Sequence, residues 1–174
     1  AGLLAVTKQG RFRYYRLASP LVAQALEAVM VLAAQSAPSA RAEPRIDPAL
    51  RRARTCYDHI AGELGVAITD ALVSERYLVL DHDAGEITPE GVAFFNGLGV
   101  DFAPPPSGTR RVFCRPCLDW SERRPHLAGY AGAALATYCL DRGLLKRQRH
   151  GRALTITALG LAEFRKSFGI DLRE

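Results

Sequence analysis

The chain has 174 residues and a mass of 19.0 kDa, which is room for one ordinary domain or two small ones. It is 48% hydrophobic and 24% charged, a composition that excludes a disordered or fibrous chain, and its four cysteines are too few for a disulfide scaffold. The net charge is +5 and the pI near 9.3; three of the 23 basic residues are lysine (Lys8, Lys146, Lys166) and the other 20 are arginine, a bias that also follows from genome base composition. The longest run without a formal charge, Pro125 to Leu140, is 16 residues, short of the roughly 18 that a membrane span needs. The first residues hold no long apolar core and no small-residue cleavage site, so the expectation is a soluble cytoplasmic protein with no membrane partner.

Leu3 to Thr7 reads as a strand, Lys8-Gln9-Gly10-Arg11 as a tight turn, and Phe12 to Leu17 as the returning strand, rich in β-favouring aromatics. The tip and return carry Lys8, Arg11, Arg13 and Arg16, which suit a phosphate backbone as well as they suit a solvated sheet edge. Ser19 and Pro20 then start a helix as N-cap and first helical residue. Val22, Leu26, Val29 and Ala33 make an apolar stripe along it, widened by Leu21, Met30 and Leu32. Such a stripe predicts burial against another element or a second subunit. Two proline-rich breaks, residues 36–47 and 103–109, divide the chain into parts at 1–35, 48–102 and 110–174.

The two later parts repeat each other. Cys56-x-Asp58-His59-Ile60-Ala61-Gly62 matches Cys117-x-Asp119 followed by His126-Leu127-Ala128-Gly129, and each runs on to a further glycine, Gly65 or Gly132. Ile87-Thr88 through Gly91 matches Ile156-Thr157 through Gly160, and Gly99-Val100-Asp101-Phe102 matches Gly169-Ile170-Asp171-Leu172. Matches in one order point to an internal duplication. The expected order in each copy is an amphipathic helix, a glycine turn, a second helix, a two-stranded wing and a helix capped by Thr88 or Thr157. In the first copy Leu50, Ala53, Tyr57, Ile60 and Leu64 share the face of the first helix. The pattern is that of tandem winged-helix-like units, mainly α with small β-hairpins, the hairpin and helix of residues 1–35 being the last half of a third unit.

The opening GLLAVTKQGRFRYYRLASP resembles the wing and following helix of the ArsR family of winged-helix transcriptional repressors, and RARTCYDHIAGELGVAITDAL, CLDWSERRPHLAG and LTITALG resemble the C-terminal extension of a longer subgroup of it. The resemblance implies a regulator that binds double-stranded DNA as a homodimer. The wing would place Lys8, Arg11, Arg13 and Arg16 at the DNA, and the following helix would pair the subunits. The family's recognition helix precedes the wing and lies outside this sequence. The wing of the first copy is acidic (Asp81, Asp83, Glu86, beside His82) and would repel phosphate, whereas that of the second is basic (Lys146, Arg147, Arg149, Arg152).

Cys56-x-x-His59 and Cys114-x-x-Cys117 have metal-compatible spacing, so Cys114, Cys117, Cys56 and His59 are candidates for metal or thiol sensing of a soft metal or metalloid ion, with Cys139 as a further ligand. The repeat also supplies a structural account: Cys56 and Cys117 are counterparts, as are His59 and His126, and buried packing explains a recurring residue. Cys114 has no counterpart, which makes it the best single candidate for an added function. Asp58 and Asp119 recur too, with no nucleophile or phosphate loop beside them, and Trp120 reads as a core anchor. The reading is a transcriptional regulator, by its resemblance a repressor, whose duplicated C-terminal region senses an effector or dimerises. The alternatives are a thiol/disulfide oxidoreductase using Cys114 and Cys117 and a structural zinc-binding interaction module.

Overall fold

In the computed structural model of the chain, which describes residues 2–9, 12–36, 46–81, 84–100, 102 and 112–172, residues 1–43 form one compact unit and residues 44–174 another. In the first unit, β1 (Leu4–Gln9) and β2 (Phe12–Leu17) pair antiparallel, with Val6 opposite Tyr15 and Lys8 opposite Arg13. The helix α1 (Pro20–Ser36) follows, and the Ser19 hydroxyl accepts a hydrogen bond from the Val22 amide at 3.3 Å, the cap that Ser-Pro predicts. Ala23 is buried, but Leu26, Val29, Met30 and Leu32 are exposed, so this unit does not cover the apolar stripe by itself.

The second unit opens with α2 (Pro48–Arg52), capped by the Asp47 carboxylate, which accepts from the Ala49 amide at 2.9 Å. There the structure departs from the expected helix through Leu64. Instead β3 (Arg54–Cys56) and β4 (His59–Ala61) form a tight hairpin before α3 (Glu63–Ser74) begins. Tyr57 at φ 56° and Gly62 at φ 82° lie outside the right-handed helical region and break the helix on both sides of β4. The helical spacing that suggested otherwise is a coincidence of composition. All six strand residues are buried, so there is no one-sided stripe, and Tyr57, assigned to the apolar face, is 55% exposed.

The rest of the first half is β5 (Leu78–Leu80), β6 (Gly85–Ile87) and α4 (Pro89–Leu98). The second half runs β7 (Arg115–Leu118), β8 (Pro125–Ala128), α5 (Gly129–Asp141), β9 (Leu145–Arg147), β10 (Leu154–Ile156) and α6 (Ala158–Phe168). Both halves therefore have the order hairpin, helix, hairpin, helix. Thr88 and Thr157 cap the last helix of each, their hydroxyls accepting from the Gly91 and Gly160 amides at 3.0 Å.

The halves are not separate globules. α3 packs against β8 and α5 against β4, so each half's helix covers the other half's hairpin. Leu64, Ile68, Leu72 and Phe95 join Leu127, Leu135, Leu145 and Phe164 in one core, and Phe94 meets Phe168 edge to face at 5.5 Å. The hairpin of β9 and β10 is tied to β3: the Thr55 amide donates to the Arg152 carbonyl at 2.9 Å and the Leu154 amide to the Ala53 carbonyl at 2.8 Å. Its Lys146, Arg147, Arg149 and Arg152 side chains remain exposed. On the acidic hairpin Asp81 and Glu86 are exposed, while His82 and Asp83 lie outside the described residues.

Candidate metal centre

In both hairpins of the second unit a cysteine faces a histidine across the ladder: Cys56 is the register partner of His59, and Cys117 of His126. Packing the two hairpins together brings the four side chains into one cluster. One ligand atom from each lies within 4.8 Å of all the others, and all four residues are buried. The two sulfurs are 3.8 Å apart, and no disulfide joins them. The Nε2 atoms of His59 and His126 are 3.1 Å apart. Ala61 and Ala128 join the two cysteines in a small apolar cluster.

Close approach is possible because the helices carry glycine where they cross the histidines. A side chain on Gly65 in α3 would run into the Ile60 carbonyl and touch His126, and one on Gly132 in α5 would run into the Leu127 carbonyl and touch His59. The recurring second glycine of the sequence repeat is thus a packing requirement. Thr69 closes the same contact: its hydroxyl donates to the Gly65 carbonyl and accepts from the Leu127 amide, both at 2.8 Å.

Each histidine has a carboxylate behind it. Asp58 Oδ1 is 3.3 Å from His59 Nδ1, and Asp119 Oδ2 is 3.3 Å from His126 Nδ1, the latter off the line of a hydrogen bond. A carboxylate on this side favours the proton on Nδ1 and leaves Nε2 with a lone pair. Two such lone pairs at 3.1 Å repel unless a proton or a metal cation lies between them. Asp119 is also the partner of the buried Arg54, whose Nη2 donates to Oδ1 at 2.6 Å. The Gly62 amide donates to Oδ2 at 2.7 Å, and the Ser121 amide and hydroxyl donate to Oδ1 at 2.9 and 2.7 Å. Arg54 lies over the half-buried Trp120, 4.5 Å from the ring centroid, which makes that tryptophan a cover for the ion pair.

These contacts shift the titrating groups. Burial alone would raise the Asp119 carboxyl, but His126, the Gly62 amide and Arg54 outweigh it and hold it well below the usual carboxylate range. The Cys56 thiol lowers Cys117 more than burial raises it, with the imidazoles of His126 and His59 acting in the same direction. For His126, burial favours the neutral ring, yet Asp119 and Cys117 prevail and raise it.

Cys114 is not part of this site. It precedes β7 and belongs to the main core, where its sulfur sits against Gly85 and burial pushes its thiol up to about 11. Cys139 is in the same core, its thiol pushed up to about 12 by burial. The spacing of Cys114 and Cys117 is therefore not a thiol pair: the strand starting at Arg115 sends the two into different clusters. Without a low-pKa partner at Cys114, the arrangement offers no disulfide-exchange centre. The cluster takes three of the four residues flagged by spacing and replaces Cys114 with His126, which the repeat had marked only as the counterpart of His59. In the other unit, Arg13 and Arg16 are exposed and fall on opposite faces of the ribbon by strand alternation, Lys8 stands opposite Arg13 in register, and Arg11 lies outside the described residues.

A protein of Bacillus subtilis (strain 168) described as an uncharacterized HTH-type transcriptional regulator, YdfF, is 38% identical to this chain over 172 residues, which is 99% of the chain and 76% of the relative. The chain belongs to the HTH-type transcriptional regulators. A transcriptional regulator is not an enzyme. No family model matches the chain. No solved structure matches it either. Among the described residues no helix is long and apolar enough to cross a membrane.

Proposed function

We propose that this regulator is a DNA-binding repressor of the ArsR type that acts as a homodimer in the cytoplasm. The observation that carries the reading is the make-up of the first unit: a two-stranded ribbon with exposed Arg13 and Arg16, followed directly by a helix whose apolar residues Leu26, Val29 and Leu32 are exposed. The ribbon, with Lys8 and Arg11, lies along the phosphate backbone as a wing. The helix α1 pairs with its copy across a two-fold axis, so that two wings meet a palindromic site. Residues 44–174 are a duplicated regulatory region of two winged-helix-like repeats. The exposed Asp81 and Glu86 keep the first of these away from DNA.

The test is DNA binding by the intact protein with Arg11, Arg13 and Arg16 replaced by Ala. Affinity should fall for many sequences alike, and the slope of log K against log salt should flatten by about 0.9 for each phosphate that is no longer neutralised. Unchanged affinity and slope would reject the wing. For the dimer, Leu26→Glu with Val29→Glu should convert a two-chain species to one chain in light scattering, and a parent protein that is already a single chain would reject it.

A further inference from the structure

In the four-residue cluster between the hairpins, the sulfur–sulfur and nitrogen–nitrogen separations match those around one kind of ion, and all four ligand atoms lie within 4.8 Å of one another. Tetrahedral zinc holds sulfur at about 2.3 Å and nitrogen at about 2.0–2.1 Å, which sets two sulfurs about 3.8 Å apart and two nitrogens about 3.3 Å apart. The observed separations are 3.8 Å for Cys56 and Cys117 and 3.1 Å for His59 and His126. The two Nε2 atoms face one another at the separation of two imidazole ligands on one ion, and the carboxylates of Asp58 and Asp119 stand behind the outer nitrogens, where histidine ligands to metals usually find a partner. Two thiols and two imidazoles with no carboxylate oxygen turned inward exclude calcium and magnesium and suit a borderline ion in tetrahedral geometry.

We propose that Cys56, His59, Cys117 and His126 bind one zinc ion per chain in a closed tetrahedral site that clamps the two halves of residues 44–174 together. Four protein ligands leave no open position for water or substrate, so the site is structural rather than catalytic. Each half supplies one cysteine and one histidine. The ion therefore joins hairpins 61 residues apart at their cysteines and 67 apart at their histidines. Binding displaces the protons of the two thiols and ties folding of the unit to the metal. Nothing in this depends on the wing or on the dimer.

The experiment is metal analysis of the full chain purified under reducing conditions, followed by exchange of zinc for cobalt. The expected result is one zinc per chain, and for the cobalt form the visible bands of tetrahedral cobalt with thiolate-to-metal charge transfer. Cys117→Ser and His126→Ala should each lose the stoichiometric ion, whereas Cys114→Ser should keep it. His126→Cys guards against simple misfolding: it should retain the ion and strengthen the charge-transfer band by adding a third sulfur. A folded parent chain that carries no zinc and takes up no cobalt after reduction would overturn the proposal. So would a Cys56–Cys117 disulfide trapped in its place, or retention of the ion by His126→Ala with its loss in Cys114→Ser.

Discussion

The hairpin of β3 and β4 turns through two residues, Tyr57 and Asp58, while that of β7 and β8 turns through the six from Asp119 to Arg124. Both nevertheless set a cysteine opposite a histidine in the ladder. Ligand geometry here is fixed by strand register rather than by distance along the chain, so Cys-x-x-His in one half and Cys-x8-His in the other are equivalent. The extra residues of the longer turn carry a separate task. Asp119 is buried and accepts from Arg54, Gly62 and Ser121, whereas its counterpart Asp58 has a side chain 30% exposed. The two halves are symmetric at the cysteines and histidines and asymmetric in what supports them.

Loss of the better-supported carboxylate should cost the most. Replacing Asp119 by Ala leaves Arg54 buried without its carboxylate and should cost about 3–5 kcal/mol, the usual penalty for breaking a buried ion pair. Replacing Asp58 by Ala should cost under about 1 kcal/mol, because a carboxylate near the surface is well screened. Urea denaturation of both variants measures the difference, and equal losses would mean that the hairpins are supported alike.

Gly65→Ala and Gly132→Ala probe the contacts that the two halves share. Each added methyl meets a carbonyl and the opposite half's histidine, so each should destabilise the unit by about 1–3 kcal/mol, and by similar amounts. A marked difference in thermal midpoint between the two would break the equivalence of the helix–hairpin contacts.

Thiol chemistry separates the cysteines into two pairs. Cys114 and Cys139 have thiols raised to about 11 and about 12 by burial, and should be alkylated slowly near neutral pH, their rates rising as the pH approaches those values. Cys56 and Cys117 should react faster than either once a chelator has been added. Peptide mapping after timed alkylation checks this, and fast labelling of Cys114 would restore it as a functional thiol.

The smallest effect concerns the exposed basic hairpin of the second half. Lys146→Ala with Arg147→Ala should shift stability by less than about 0.5 kcal/mol, as for most surface changes. If the double change instead weakens DNA binding as much as replacement of the β2 arginines does, the two basic hairpins share one role.

Local signals in the sequence reach far in this protein. Ser19, Thr88 and Thr157 cap their helices because a hydroxyl at that position satisfies a free amide within the same few residues. The opening hairpin and the hairpins of β5 with β6 and β9 with β10, three of the five described, were legible from strand runs and polar turns, and the recurring Cys, His and Gly positions marked the residues that the two halves share. What failed was the first helix of each copy: β7 and β8 stand in its place in the second, and β3 and β4 replace the one drawn through Cys56 in the first. Its apolar spacing fits a period of 3.6, but the hairpin is buried on both faces, and such a segment carries no period of its own.

The composition of the site was equally indirect. Cys114 looked like a ligand because it lies three residues from Cys117, and His126 looked like packing because it recurs as the counterpart of His59. Only the tertiary structure decides between them, through two non-local facts: cross-strand register, which pairs Cys117 with His126, and the docking of one half's helix on the other half's hairpin, which brings that pair to Cys56 and His59. Sequence determines the elements whose hydrogen bonds close within a turn. Contacts between residues some 60 positions apart arise from burial of two matching surfaces, and no local pattern encodes them.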